Sequence, residues 1–230
     1  MRAQGRQKHS WRRAAFRIAL VALLAPAAVI AVYRFLPPPV TPLMLIRRAE
    51  GEPLVKRWVP LSDISPNLIR AVVASEDERV CVHHGFDWTA IAQSWNEWRH
   101  GGALRGASTI SMQTARNLLL WPGGSFLRKG AEAYLTVLIE FLWSKHRIME
   151  VYLNIIEWGP GIYGAEASAR AHFGTAASRL SVPQAALLAA VLPNPRRWSP
   201  DRPTPYIDAR AAFIRQHMPM VAIPRAGGCH

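Results

Sequence analysis

Acidic residues are scarce in this chain. Asp and Glu number 15 against 28 Lys and Arg, a formal net charge of +13. So basic a chain calls for anionic partners, and nucleic acid is the first to consider. No nucleic-acid motif is present, and six cations (Arg2, Arg6, Lys8, Arg12, Arg13 and Arg17) sit in one N-terminal block, so nucleic acid is not an expected partner. Cysteine is nearly absent. Of the two, Cys229 lies in a Gly-rich tail, and no structural disulfide with Cys81 is expected even in an oxidising compartment. The eight His show no paired metal-ligand spacing, which argues against a His-based metal site. Strand patterns are short and few, and no internal repeat or low-complexity block occurs, which rules out a repeat architecture. A helix-dominated domain remains.

What the chain does have begins at its N-terminus. Residues 1–17 carry the six cations and no acid. Ile18 to Leu36 is apolar except for Arg34 and includes Pro26. About 20 apolar residues span a bilayer, so 18–36 is expected to be a transmembrane anchor, with Arg34 snorkelling at its outer end. The basic flank places residues 1–17 in the cytoplasm and everything after the span outside it. A cleavable signal peptide is the alternative. Against it, Pro37-Pro38-Pro39 follows the span where a small-x-small cleavage site would be needed. Residues 37–60, with six prolines, read as an extended connector, 61–200 as the main domain and 201–230 as a C-terminal tail. Within the main domain, Ser181-Val182-Pro183-Gln184 is a capping box opening a helix that Pro193 and Pro195 stop. The nine Trp, Trp88, Trp95 and Trp98 among them, are expected as core or interfacial anchors.

In so basic a chain, three adjacent carboxylates need a reason. Glu76-Asp77-Glu78 closes a helix pattern that starts at Ser65-Pro66, a Ser N-cap with Pro at the first helical position. Ile69, Val72 and Val73 follow at helical spacing, and Glu76 falls on the same face. A half-buried carboxylate has a raised pKa and can act as a general base or acid near neutral pH. Further on, Thr109, Met112, Gln113 and Arg116 share one helical face after Gly106-Ala107-Ser108. A helix N-terminus with a hydroxyl, an amide and a guanidinium in line is a reasonable pyrophosphate cradle. Arg128, Lys129 and Glu132 then place two cations beside one carboxylate. Their helix is apolar nearly all round, so it is expected to be mostly buried, with its charges lining a cleft.

Glu76, Asp77, Val80, His83, Gly85 and Asp87 resemble the first signature of the peptidoglycan glycosyltransferases, the lysozyme-like family that polymerises lipid II. That family usually has Phe where this chain has Val80. The segment Gly106 to Asn117 resembles the second signature, with Met112 replacing a Gln and Arg116 a Lys. Arg128-Lys129-x-x-Glu132, followed by Ser144-Lys145 and Glu150-x-Tyr152-Leu153-Asn154, resembles the third. No Ser has Lys three residues later and Lys-Thr-Gly is absent, so the chain resembles the stand-alone members without a transpeptidase, and no penicillin sensitivity is expected.

The resemblance implies a mainly α, lysozyme-like two-lobed glycosyltransferase domain after one transmembrane helix, held in the bacterial inner membrane with its domain periplasmic. It implies Glu76 as the catalytic base and Glu132 as the second catalytic carboxylate. Asp77, Thr109, Gln113, Arg116, Asn117, Arg128 and Lys129 would bind substrate. Lipid II and the nascent glycan strand would be the partners, with cell-wall synthesis or division proteins as further ones. No cofactor is required by the pattern, although Glu132 could hold a divalent cation, Mg or Mn, on the pyrophosphate. The alternatives are a lysozyme-like hydrolase using paired carboxylates and a non-catalytic scaffold, the latter motivated by Val80 and Met112.

Overall fold

The computed structural model describes residues 3–102 and 107–229. Arg2 and Gly106 of the patterns above lie outside them. Two units are distinct, residues 1–36 and 37–230. The first is one helix, α1 (Ala3–Tyr33), which carries Pro26. Its segment Phe16–Tyr33 is 18 residues long and apolar enough to cross a membrane. At 1.5 Å per residue it spans about 27 Å, close to the ~30 Å hydrocarbon core. Leu20, Val21, Leu23 and Leu24 are exposed, as lipid-facing side chains would be.

The second unit is mainly helical. The connector expected at 37–60 is not extended throughout. Thr41 caps a short helix, α2 (Pro42–Ala49), whose Met44 is fully buried. β1 (Val55–Lys56) follows, and then α3 (Pro66–Glu76), with the Ser65 hydroxyl accepting from the Asn67 amide at 3.3 Å as the Ser-Pro start requires. Next come α4 (Trp88–Arg99), capped by Asp87, α5 (Ile110–Leu119), capped by Thr109, α6 (Phe126–Leu142) and α7 (Lys145–Ile155). β2 (Glu157–Gly159) and β3 (Ile162–Tyr163) form a small sheet with β1, in the order β1-β3-β2, with β1 parallel and β2 antiparallel to β3. Its turn needs glycine. Gly161 has φ +71, and a Cβ there would lie 2.2 Å from the Pro53 carbonyl oxygen. The chain then forms α8 (Ala165–Phe173), α9 (Val182–Val191), opened by the Ser181/Gln184 capping box, and α10 (Pro205–His217). It ends in a hairpin of β4 (Pro224–Arg225) and β5 (Gly228–Cys229).

Two groups of helices carry the packing: α3 with α9 and α10, and α5 with α6 and α7. Leu68, Val72 and Val73 of α3 are fully buried. Truncating one such aliphatic side chain to Ala costs about 2–5 kcal/mol. In α7 every side chain from Ile148 to Ile155 is buried.

Three expectations are corrected here. Residues 201–230 are not a loose tail, because Ile207, Ala211 and Ile214, spaced at i, i+4 and i+7, bury one face of α10. Cys81 and Cys229 do form a disulfide. The terminal hairpin folds back onto α7 and brings their Cα atoms to 5.8 Å. Helix α6 is not buried all round. Phe126, Leu127, Val137 and Phe141 are exposed, while Glu132, Leu135, Thr136 and Ile139 are buried. Trp88, Trp95 and Trp98 are exposed along α4, which leaves them the interfacial of the two expected places.

Candidate active site

Glu76 is the last residue of α3, one turn beyond the buried Val72. Its Oε2 accepts from Gln113 Nε2 at 3.0 Å, and Arg210 Nη2 lies 3.7 Å from its Oε1. Gln113 is oriented in turn by the Tyr152 hydroxyl, which donates to its Oε1 at 3.0 Å. The Asn117 side chain donates to the Gln113 backbone carbonyl at 2.9 Å. Burial pushes the Glu76 pKa above that of an ordinary glutamate, against the opposing pull of the Gln113 hydrogen bond, Arg210 and Arg116. Burial, and then the Glu76 charge, also raise the Tyr152 phenol well above its usual range. Tyr152 therefore stays neutral and remains a donor.

The rest of the first signature builds the turn that holds this carboxylate. Asp77 Oδ2 accepts from the Ile110 amide at 2.9 Å, and His83 Nε2 lies 2.9 Å from Asp77 Oδ1. Oδ2 of Asp77 thus joins the end of α3 to the start of α5, while Oδ1 holds the turn through His83. Asp77 braces this turn and also lines the larger cavity. Thr109 behaves similarly: its hydroxyl donates to the Gly85 carbonyl at 2.6 Å and accepts from the Met112 amide at 3.2 Å. Gly85 has φ +90, and a Cβ would come within 2.9 Å of the Thr136 methyl, so only glycine fits this turn. Val80 is buried, as an apolar residue at that place should be.

The charged cluster of α6 is built differently. Glu132 is fully buried. Arg128 Nη1 donates to its Oε2 at 2.9 Å and Lys129 Nζ to its Oε1 at 2.5 Å. Its two oxygens therefore each hold a cation. Among the described residues no three His, Cys, Asp or Glu side chains come together as a metal site. With both Glu132 oxygens taken by cations, the residues present do not fit a divalent cation there.

Two cavities lie at the ends of this site. The larger, about 500 Å³, is lined by Glu76, Asp77, Glu78, Gln93, Ser108 and Thr109 among others, and presents the acidic side. The smaller, about 260 Å³, is lined by Arg116, Asn117 and Arg128 together with Arg47 and Glu157. Glu76 thus lines one cavity and Arg116 and Arg128 the other, with the Thr109 cap of α5 at the first and the body of that helix at the second. Sequence reasoning missed Arg210, which comes from the presumed tail. The buried apolar spacing of Ile207, Ala211 and Ile214 was the available signal for its helix. Other signature residues are braces. The Asn154 side chain bonds both backbone groups of Val59 (3.0 and 2.9 Å), and Glu150 accepts from the Leu61 amide at 2.9 Å.

A base whose neutral form is favoured by burial, beside a guanidinium-lined cavity, is suited to moving a group from an anionic leaving group to a hydroxyl. That chemistry on a helical scaffold defines a group-transferring enzyme with an acid–base site. The chain belongs to the transglycosylase family, whose model matches residues 44–219. The match takes in all of α3 to α10. The chain is 58% identical over 219 residues to a biosynthetic peptidoglycan transglycosylase of Rhodospirillum centenum, covering 95% of this chain and 94% of that one. Proteins of the same name from Caulobacter vibrioides and Pseudomonas aeruginosa are 51% and 50% identical to it. These cover 85% of both chains in the first case, and 90% of this chain and 91% of the other in the second.

Proposed function

We propose that this protein is a peptidoglycan glycosyltransferase that polymerises lipid II into β-1,4-linked glycan. The observation that carries the reading is Glu76, a largely buried carboxylate fixed by Gln113 and facing a cavity of about 500 Å³. The donor is the growing strand, attached through its reducing-end sugar to undecaprenyl pyrophosphate. The acceptor lipid II attacks through the 4-hydroxyl of its N-acetylglucosamine. Glu76 takes the hydroxyl proton, the new C1–O bond forms on the face opposite the leaving group, and the C1–O bond to the pyrophosphate breaks. Inversion of the α-linked donor gives the β-linkage. Arg116, Arg128 and Lys129 stabilise the charge that develops on the pyrophosphate. Glu132 orients Arg128 and Lys129 rather than exchanging protons, and Gln113 holds the base.

A hydrolase reading fits less well. Glycosidic cleavage with two carboxylates needs a second group free to act as acid or nucleophile, and Glu132 is engaged by two cations. The membrane reading rests on α1 and its basic flank, which favour a single-pass anchor with residues 1–17 cytoplasmic and the catalytic unit on the outer face of the bacterial inner membrane. The exposed aromatic residues of α4 and apolar residues of α6 suit a protein whose substrate is a lipid. The test is lipid II turnover by detergent-solubilised protein. Lengthened glycan with release of undecaprenyl pyrophosphate supports the assignment. Shortening of finished glycan, or no turnover, rejects it.

A further inference from the structure

The smaller cavity contains charges that the three sequence signatures do not account for. Arg116 and Arg128 come from those signatures. Arg47 comes from α2 and Glu157 from β2, and neither belongs to them. Among the described residues, Arg47 Nε, Arg128 Nε and Glu157 Oε1 are all buried without a hydrogen bond. The nearest cation to that Glu157 oxygen, Arg196 Nη1, is 3.9 Å away. A buried polar atom without a partner costs about 1–3 kcal/mol. An anion can accept from the two guanidinium Nε groups and so remove their cost, whereas the Glu157 oxygen can only oppose it. Arginines from α2, α5 and α6 line this one cavity, which suits an anion with several oxygens better than a single carboxylate. Leu43 and Trp121 give the same cavity an apolar wall. At about 260 Å³ it is smaller than the ~300–1,000 Å³ of typical small-molecule sites, a size for a headgroup rather than a disaccharide.

We propose that Arg47 is a further, specificity-determining ligand to the pyrophosphate placed above on Arg116 and Arg128, and that Glu157 is the carboxylate that balances these cations when the anion is absent. This rests on the proposed function and extends its donor site to two residues outside the signatures. Arg47 is now held by Glu50, whose Oε2 accepts from its Nη1 at 2.7 Å on the exposed side, so its Nε is the group left for a ligand. Glu157 opposes an incoming anion. The two residues should therefore act with opposite sign, which a merely structural pair would not do.

The test is calorimetric titration of the full-length, detergent-solubilised protein with farnesyl pyrophosphate, farnesyl monophosphate and inorganic pyrophosphate. Farnesyl pyrophosphate should bind best of the three. Arg47→Ala should weaken it about 10- to 100-fold, the range of one charge-assisted hydrogen bond. Arg47→Lys should fall between Ala and wild type, and Glu157→Gln should bind at least as tightly as wild type. The assignment is overturned if Arg47→Ala binds like wild type, if Glu157→Gln weakens binding as much as Arg47→Ala does, or if the monophosphate binds as well as the pyrophosphate. It is also overturned if farnesyl pyrophosphate does not bind while lipid II is still polymerised, an outcome that leaves the proposed function standing. Binding without polymerisation would support the site and remove the function.

Discussion

Replacing Glu76 by Gln separates catalysis from folding more cleanly than any other single change. Gln keeps an oxygen to accept from Gln113 Nε2, now 3.0 Å away, and nearly the same volume. What it loses is the proton-accepting charge and the 3.7 Å approach to Arg210. That partly exposed pair is worth about 0–1 kcal/mol. An opposing term comes from burial. The folded pKa of Glu76 lies above the unfolded value of 4.5. Its ionised form therefore lowers stability as pH rises from 4.5 through the folded pKa, and Gln removes that penalty at neutral pH. The two terms oppose each other. At about 2–4 °C per kcal/mol for a chain of this size, the melting temperature should move by no more than about 4 °C. Lipid II turnover should fall by about 10²–10⁴, the usual contribution of a positioned base. In the wild type, the acidic limb of the kcat/KM profile should lie above an ordinary glutamate's range, with activity rising as Glu76 ionises. The assay is turnover of labelled lipid II across pH, with thermal denaturation of the same preparations. Retention of more than a few per cent of activity would show that another group takes the proton. A fall in melting temperature of 10 °C or more would show that Glu76 is structural.

Lys129→Ala should lower turnover about 10²–10³-fold, and since half of the Lys129 side chain is exposed the melting temperature should barely change; a loss of activity that tracks unfolding would make it an ordinary ion-pair residue. Glu132→Gln should lose both activity and stability, because it leaves two cations facing a neutral group at a fully buried position, and an unchanged melting temperature would contradict the buried geometry. Reduction of Cys81–Cys229, which closes a sequence separation of 148 residues, should destabilise by about 2–5 kcal/mol and lower the melting temperature by roughly 5–15 °C; identical melting with and without reductant would mean that the hairpin holds without the bond. A reporter enzyme active only outside the cytoplasm should work when fused after Pro60 and fail when fused before Ile18, and the reverse pattern would reject the proposed orientation.

The features legible in the sequence are those whose causes are local. The Ser65-Pro66 start, the Ser181/Gln184 capping box and the arrival of Glu76 on the buried face of α3 each depend on residues within a turn or two. The corrections all involve partners far along the chain. Composition around Cys229 looks like a frayed end. The disulfide exists because a hairpin packs on α7, and nothing near Cys229 encodes α7. Periodicity could show that α6 is apolar on nearly every side, but not which side meets the protein. In the structure the buried side is the one bearing Glu132 and Thr136, and Phe126 and Phe141 are left outward.

The same reasoning applies to Asp77 and Thr109, which brace the fold and also line the larger cavity. A carboxylate or hydroxyl beside a helix start can bind substrate or cap the helix, and the choice depends on what approaches it in three dimensions. Here the Ile110 amide and the Gly85 carbonyl do. Substituting either residue would therefore disturb folding and catalysis together, and loss of activity alone could not assign its role. Glu76, Arg116 and Lys129 are better probes, because their charged groups are not used to cap or tie the backbone. Arg210 extends the argument. It reaches Glu76 only because α10 packs against α3, so the electrostatics of the proposed base are set in part by a helix more than 120 residues further along the chain.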